Sequence, residues 1–270
     1  MLVDNKFLYV SLPRCGSTSF HYSCILSGLD VKNLNFWDKH NDSIDFKNID
    51  ESKIMDLIAH GHESLMDLKE KFGNHLPVIA VNRDRHDSFF SLYKHVIFDL
   101  KRTGWDNISD WLSKISIDEL FFFNSNDLTN IDKRWKVINE YMIKNGFIEK
   151  YISIPPRKTQ YVFRDSHLAI LSDPISFLNR ECYLINIFNI LITPKSIWHN
   201  NDKNITWFNI DEMSKLQDWV SNITGKKFIL KHVNSNSDIK VNLELNDQFK
   251  NKYNSIYDHY DLPKNKKTLI

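Results

Sequence analysis

Between Lys6 and Gly28 the chain reads KFLYVSLPRCGSTSFHYSCILSG, and its residue types at this spacing could hold an anion. An apolar run, Phe7–Leu12, stops at Pro13, and the small-residue loop Cys15-Gly16-Ser17-Thr18-Ser19 leads into a helix-like segment. A strand, a tight loop and a helix N-terminus in that order direct backbone N–H groups and the positive end of a helix dipole at one point. Gly16 permits close backbone approach, and Ser17, Thr18 and Ser19 add hydroxyl donors. Arg14 adds a fixed charge whose forked donors match phosphate or sulfate oxygens. The plainer alternative is a strand-to-helix turn whose Ser and Thr residues cap the helix.

The loop lacks the Gly-x-x-x-x-Gly-Lys-Ser/Thr pattern of ordinary nucleoside-triphosphate sites. Cys15 stands where a helix dipole lowers thiol pKa values. Cysteine phosphatases, however, carry an arginine where this chain has His21, so Cys15 reads better as a small residue filling the turn. A second cluster of chemical interest is Arg83-Asp84-Arg85-His86-Asp87-Ser88, again directly after an apolar run. A third is His60-Gly61-His62. On residue type alone, His60 and His62 read as two positions on one face of a strand. With no Cys, Asp or Glu completing a ligand set, they are weak evidence for a metal.

The elements that must position these groups follow from periodicity. Strands are expected at Phe7–Leu12, around Leu57–His60 and at Pro77–Asn82, the last a short apolar run of the kind buried in parallel sheets. Helical spacing is clearest at Ser17–Ser27, Asp87–Arg102, Ile131–Asn145 and Asp211–Thr224, with Gly146 and Gly225 as C-terminal stops. Strands alternating with helices imply an α/β layer fold in which ligands sit at the carboxyl ends of the strands. Arg14 and Arg83 both fall there. One domain spanning 1–270 is expected, with 146–204 as mixed α/β and a candidate acceptor-side elaboration.

Composition sets outer limits. Of 270 residues 42% are hydrophobic, enough for a substantial core, and 35 basic against 34 acidic residues leave a net charge of +1. That balance argues against a general nucleic-acid binder, so any basic site must be local. Three cysteines, Cys15, Cys24 and Cys182, are too few and odd in number for a disulfide framework and fit a reducing compartment. With neither a signal-peptide pattern nor an apolar run long enough to span a bilayer, no membrane anchor is expected and the default location is cytoplasmic.

The segment Arg83-Asp84-Arg85-His86-Asp87-Ser88-Phe89-Phe90-Ser91-Leu92-Tyr93 resembles the Arg-Asp-Pro-x-x-Arg-x-x-Ser-x-Tyr signature of sulfotransferases that use 3′-phosphoadenosine 5′-phosphosulfate. Pro13-Arg14-Cys15-Gly16-Ser17-Thr18-Ser19-Phe20 is similar to that family's 5′-phosphosulfate loop. His60-Gly61-His62 resembles the His-Gly-His of the heparan sulfate and uronyl 2-O-sulfotransferase branch. Near the other end, Lys231-His232-Val233-Asn234 and Tyr257-Asp258-His259-Tyr260-Asp261 resemble a His-x-Asn element and the closing Tyr-x-x-Asp-Tyr/Phe helix. The likeness is dense from Phe7 to Tyr93. Three positions depart from it: Arg85 replaces a proline, Ser88 replaces the second arginine, and Arg14 replaces the lysine of the 2-O branch.

The resemblance implies a P-loop-like three-layer fold, with a central parallel sheet flanked by helices. It further implies a sulfotransferase that moves a sulfonyl group from 3′-phosphoadenosine 5′-phosphosulfate to a hydroxyl acceptor, a small molecule or a saccharide. Adenosine 3′,5′-bisphosphate is the product, and neither metal nor nucleic acid takes part. Under it, Arg14, Cys15, Gly16, Ser17, Thr18 and Ser19 take the 5′ end of the nucleotide, while Arg83 and Ser91 take the 3′-phosphate. His62 serves as base, and His60 either orients it or is structural. Losing an arginine at position 88 weakens the 3′-phosphate site unless Arg85 supplies the charge from its own position. Two other classes fit part of the pattern. A kinase or nucleotide hydrolase would use Thr18 for magnesium but lacks the Walker lysine, and a non-catalytic module would bind adenosine bisphosphate without transfer. The aromatic content of 13% brings a lectin-like role into view. Trp105, Trp111, Trp198 and Trp207 at these spacings nonetheless read as core, given the area an aromatic side chain buries.

Overall fold

A computed structural model of the protein describes residues 1–32, 63–102, 106–114, 131–151, 196–200, 202–232 and 244–257. These residues group into two compact units, the first drawn from Met1–Asp84 and Trp198–Ser235, the second from Arg85–Ile197 and Asn236–Asp261.

The first unit is built on apolar runs. Phe7–Val10 forms β2 and Val78–Asn82 forms β4; every residue of β2 and all but the last of β4 are buried, as expected of strands covered on both faces. They pair in parallel, with Leu8 opposite Val78 and Val10 opposite Ala80. Both strands were expected, β2 two residues longer. The fifth strand, β5 (Ile205–Asn209), runs parallel to β4 from Val78–Ile205 to Asn82–Asn209. Periodicity left it unassigned, although Ile-Thr-Trp-Phe is a β-branched and aromatic run.

Two short strands complete the sheet. Residues Leu2–Val3 (β1) lie antiparallel to β2, and Val31–Lys32 (β3) antiparallel to β1, so the order is β3-β1-β2-β4-β5. The sheet is therefore mixed, parallel across β2, β4 and β5 and antiparallel at the other end, where an all-parallel sheet was expected. The reason is local. Asp4 and Asn5 both adopt left-handed backbone (φ 48° and 53°), and the Lys6 N–H donates to the Val3 carbonyl at 2.9 Å. That is a tight left-handed turn of the kind Asp and Asn favour, and with three residues between the paired Val3 and Phe7 it folds β1 straight back onto β2.

Helix α1 (Ser17–Leu26) covers β2 through aromatic contacts. Phe20 stacks on Tyr9 with ring centroids 4.1 Å apart, and Phe7 meets Trp219 edge-on at 5.0 Å. Trp219 lies on α7 (Met213–Thr224), which a 3₁₀ turn at Ile210–Glu212 introduces, close to the expected Asp211–Thr224. Such pairs contribute about 0.5–1.5 kcal/mol each beyond their burial. Helix α2 (Leu65–Phe72) was not anticipated, though Ser64 caps it by accepting from the Asp67 N–H at 3.2 Å, a Ser-x-x-acid signal readable in the sequence. Lys69 of α2 pairs with Asp202, ahead of β5.

Within α1, His21 is buried and its Nδ1 has no hydrogen-bond partner among the described residues. Burial lowers its pKa from 6.5 to about 4. The folded state thus holds His21 neutral while the unfolded chain takes up the proton first. Its contribution to stability is complete above about pH 6.5 and is lost as pH falls toward 4. The loss should reach about 3 kcal/mol. Urea titrations across that range should show it, and His21→Leu should flatten the slope. An identical slope in both proteins would contradict the assignment.

The second unit is helical in its described parts. It contains α3 (Arg85–Arg102), α4 (Asp106–Leu112), α5 (Ile131–Lys144) and α8 (Asp247–Tyr257). Helix α3 begins two residues before its expected start, and α5 ends one residue before its expected end. The Tyr93 hydroxyl donates to the Leu112 carbonyl and the Ser109 hydroxyl to the Ile97 carbonyl, tying α3 to α4. Phe89 packs on Phe249 and Tyr253 of α8, with centroids 5.3 and 5.1 Å away. Gly146, with φ 71°, terminates α5 as expected. The remaining short helix, α6 (Ser196–His199), precedes β5. Among the described residues no helix is long and apolar enough to cross a membrane.

Candidate functional site

Parallel pairing of β2, β4 and β5 brings their carboxyl ends to one edge of the sheet, the edge at which α/β folds bind ligands. Three connections leave that edge: Ser11–Gly16 into α1, Arg83-Asp84 after β4, and Ile210–Glu212 into α7.

The first connection holds two residues in left-handed backbone. Arg14 (φ 59°) and Gly16 (φ 79°, ψ 14°) both lie in the left-handed region. A Cβ built on Gly16 would meet only Met213 Cε, at 3.9 Å, among the described residues. Glycine is needed here for the backbone twist rather than for room. Holding a non-glycine residue in this region costs about 1–2 kcal/mol, so Arg14 carries strain at the point where the chain turns.

Gly16 is also the N-cap of α1 and, as a glycine, brings no side chain of its own to cap the helix. Ser17, Thr18 and Ser19 stand in the first turn rather than before it, so the capping alternative is not the arrangement observed. Ser17 and Ser19 are buried and Thr18 is half-buried, which makes Thr18 the most accessible of the three hydroxyls. Cys15 is fully buried and directs its thiol at the Pro13 carbonyl, 3.5 Å away, as a residue filling the turn.

Arg83, half-buried at the end of β4, donates from Nη1 to the main-chain carbonyl of Arg14 at 3.4 Å. Two arginines 69 positions apart thus meet at the ends of adjacent parallel strands. One belongs to the loop, and the other braces the loop's backbone.

The other expected residues are distributed as follows. Ser91 is half-buried on α3 in the second unit, and Ser88 is buried there, so position 88 offers no cation. His60 and His62, together with the strand expected around Leu57–His60, lie outside the described residues. So do Trp105, Val233, Asn234 and Asp258–Asp261. Lys231 and His232 are exposed, and the Lys231 N–H donates to Ser23 Oγ of α1 at 2.7 Å. Trp198 and Trp207 are buried, and Trp111 packs on Tyr141 and Phe147 with centroids 5.7 and 5.2 Å away. These three are packing residues, as their spacing implied.

No family model, curated protein or solved structure matches this chain. Its chemistry is therefore read from its own residues. Two features were not anticipated. The edge residues Asn209 and Glu212, hydrogen-bonded to one another at 3.0 Å, became visible only with β5. In the second unit Asn254 accepts from Arg85, a pairing 169 positions apart that no local pattern announces.

Proposed function

We propose that this chain is a sulfotransferase that moves a sulfonyl group from 3′-phosphoadenosine 5′-phosphosulfate to a hydroxyl, with a carbohydrate as acceptor, on a P-loop-like sulfotransferase fold. The observation that carries the reading is the contact between Arg83 and the Arg14 carbonyl, because it joins the two motifs that resemble opposite ends of one nucleotide site. The donor set fits a phosphosulfate: a helix of ten residues opens at a glycine N-cap, flanked by a guanidinium, and the most accessible hydroxyl is that of Thr18.

The nucleotide, when bound, supplies an activated sulfonyl group on a phosphate leaving group. Arg14 and the backbone N–H groups of the loop oppose the charge that builds on the departing phosphate. Arg83 holds the 3′-phosphate and converts its binding energy into positioning. His62 takes the hydroxyl proton as the acceptor oxygen bonds to sulfur and the bond from sulfur to the bridging oxygen breaks, and His60 orients it.

Isothermal titration with adenosine 3′,5′-bisphosphate, AMP and ATP tests the reading. The bisphosphate should bind tightest, and Arg83→Ala should weaken it about tenfold or more, the value of a charge-assisted hydrogen bond. Equal binding of all three nucleotides would refute the assignment. Tight ATP binding with magnesium-dependent turnover would transfer the loop to kinase or hydrolase chemistry.

A further inference from the structure

We infer that segment 226–232 is a clasp across α1 and α7 that closes more firmly when nucleotide occupies loop 14–19; the nucleotide part rests on the sulfotransferase reading above. Residues 227–232 belong to no helix and to no strand, yet four consecutive N–H groups among them are satisfied by side chains. Phe228 donates to Ser221 Oγ at 3.1 Å and Leu230 to Gln217 Oε1 at 3.0 Å, both acceptors on α7. Ile229 donates to Ser27 Oγ at 3.4 Å and Lys231 to Ser23 Oγ at 2.7 Å, at the C-cap and on the body of α1. That alternation is the one an extended chain presents, so a single segment ties two helices at once. The registers agree. Two extended residues advance about 6.6 Å, and four helical residues rise about 6 Å.

The hydroxyls are aimed for this role. Ser23 and Ser221 each donate to the carbonyl four residues earlier, Ser19 at 2.7 Å and Gln217 at 2.9 Å, which leaves an oxygen lone pair for the clasp. Ser23 therefore links the Lys231 N–H to the carbonyl of Ser19, in the first turn of α1. Both helices open at the carboxyl edge of the sheet, α1 after β2 and α7 after β5. There Met213 Cε of α7 lies 3.9 Å from the position a Cβ would take on Gly16, so the separation of the helices bears on the loop. One end of the clasp is anchored by buried Phe228, whose ring is 5.6 Å from that of Phe20. The Lys226 ammonium adds bonds to Asp4 Oδ1 and the Gly28 carbonyl. At the other end Ile229, Lys231 and His232 are exposed, so that end opens locally without disturbing the sheet. A ligand that orders the first turn of α1 then favours the closed clasp, and by reciprocity the closed clasp raises the ligand's affinity. Ser23 is accordingly a positioning residue.

Hydrogen exchange of the full chain, with and without saturating adenosine 3′,5′-bisphosphate, reads loop 11–20 and the clasp amides 228–231 in one experiment. Nucleotide should slow exchange in the loop and, by about fivefold or more, at the clasp. Ser23→Ala removes the acceptor of Lys231, and Gln217→Leu removes that of Leu230 from the opposite helix. Each should weaken bisphosphate binding about fivefold or more and abolish the slowing at the clasp even at saturation. A purely structural bond, lost on α7, would leave both readouts where they were. Gln217 is half-buried, and its variant decides the matter if Ser23→Ala does not fold. A loop slowed by nucleotide while the clasp exchanges as before, or variants that keep wild-type affinity, overturns this inference alone. Nucleotide that leaves exchange in the loop unchanged overturns the sulfotransferase reading, and the inference with it.

Discussion

Arg14→Ala is expected to slow sulfonyl transfer by about 10²–10³-fold at saturating nucleotide, the usual cost of deleting one preorganised donor aimed at developing charge. The geometry separates this effect from loss of structure. Arg83 reaches the main-chain carbonyl of residue 14, which alanine retains, so the brace between the two strand ends survives the substitution. Alanine also meets the same left-handed backbone (φ 59°) that arginine tolerates, so the fold pays no new penalty at the turn. Thermal unfolding should therefore move little while turnover collapses. Arg14→Lys should recover part of the rate, because an ammonium keeps the charge but presents a point instead of a fork. Product formation from a labelled donor provides the readout, and an undiminished rate in Arg14→Ala would remove this residue from the chemistry.

His62→Ala should cost about 10²–10⁴ in turnover, the range for removing a positioned general base. Nucleotide affinity should stay at the wild-type level, since the role proposed for His62 is at the acceptor hydroxyl and not at the phosphates. An imidazole accepts a proton only in its neutral form, so wild-type activity should fall as acidification removes that form and the variant should lose that limb. A pH–rate profile of the two proteins checks both points together. Retention of the acidic limb in His62→Ala would assign the base to another group. In the proposed reaction the two substitutions probe separate steps, charge stabilisation at the leaving group and proton removal at the nucleophile.

Much of the scaffold was legible before any coordinates. The buried runs of β2 and β4, the periodic faces of α3, α5 and α7, and the stopping glycines Gly146 and Gly225 are signals written within a few residues of where they act. Other elements were harder to read. Strands β1 and β3 have two residues each, too few for any period to register, and exist because a hairpin turn at Asp4-Asn5 presents β1 to its neighbours. Strand β5 carried strand-forming residues without the alternation that distinguishes a half-buried strand, since β5 is mostly buried.

By itself the sequence marked the candidates for anion chemistry: the Arg14–Ser19 loop behind one strand and Arg83 behind another. That follows because caps, turns and strand ends depend on short-range sterics and hydrogen bonding. Only the tertiary structure decided that β2 and β4 are neighbours, that Arg83 braces the Arg14 carbonyl, and that Arg85 is held by Asn254. These pairings depend on which apolar surfaces exclude water together, and that choice is made over the whole chain.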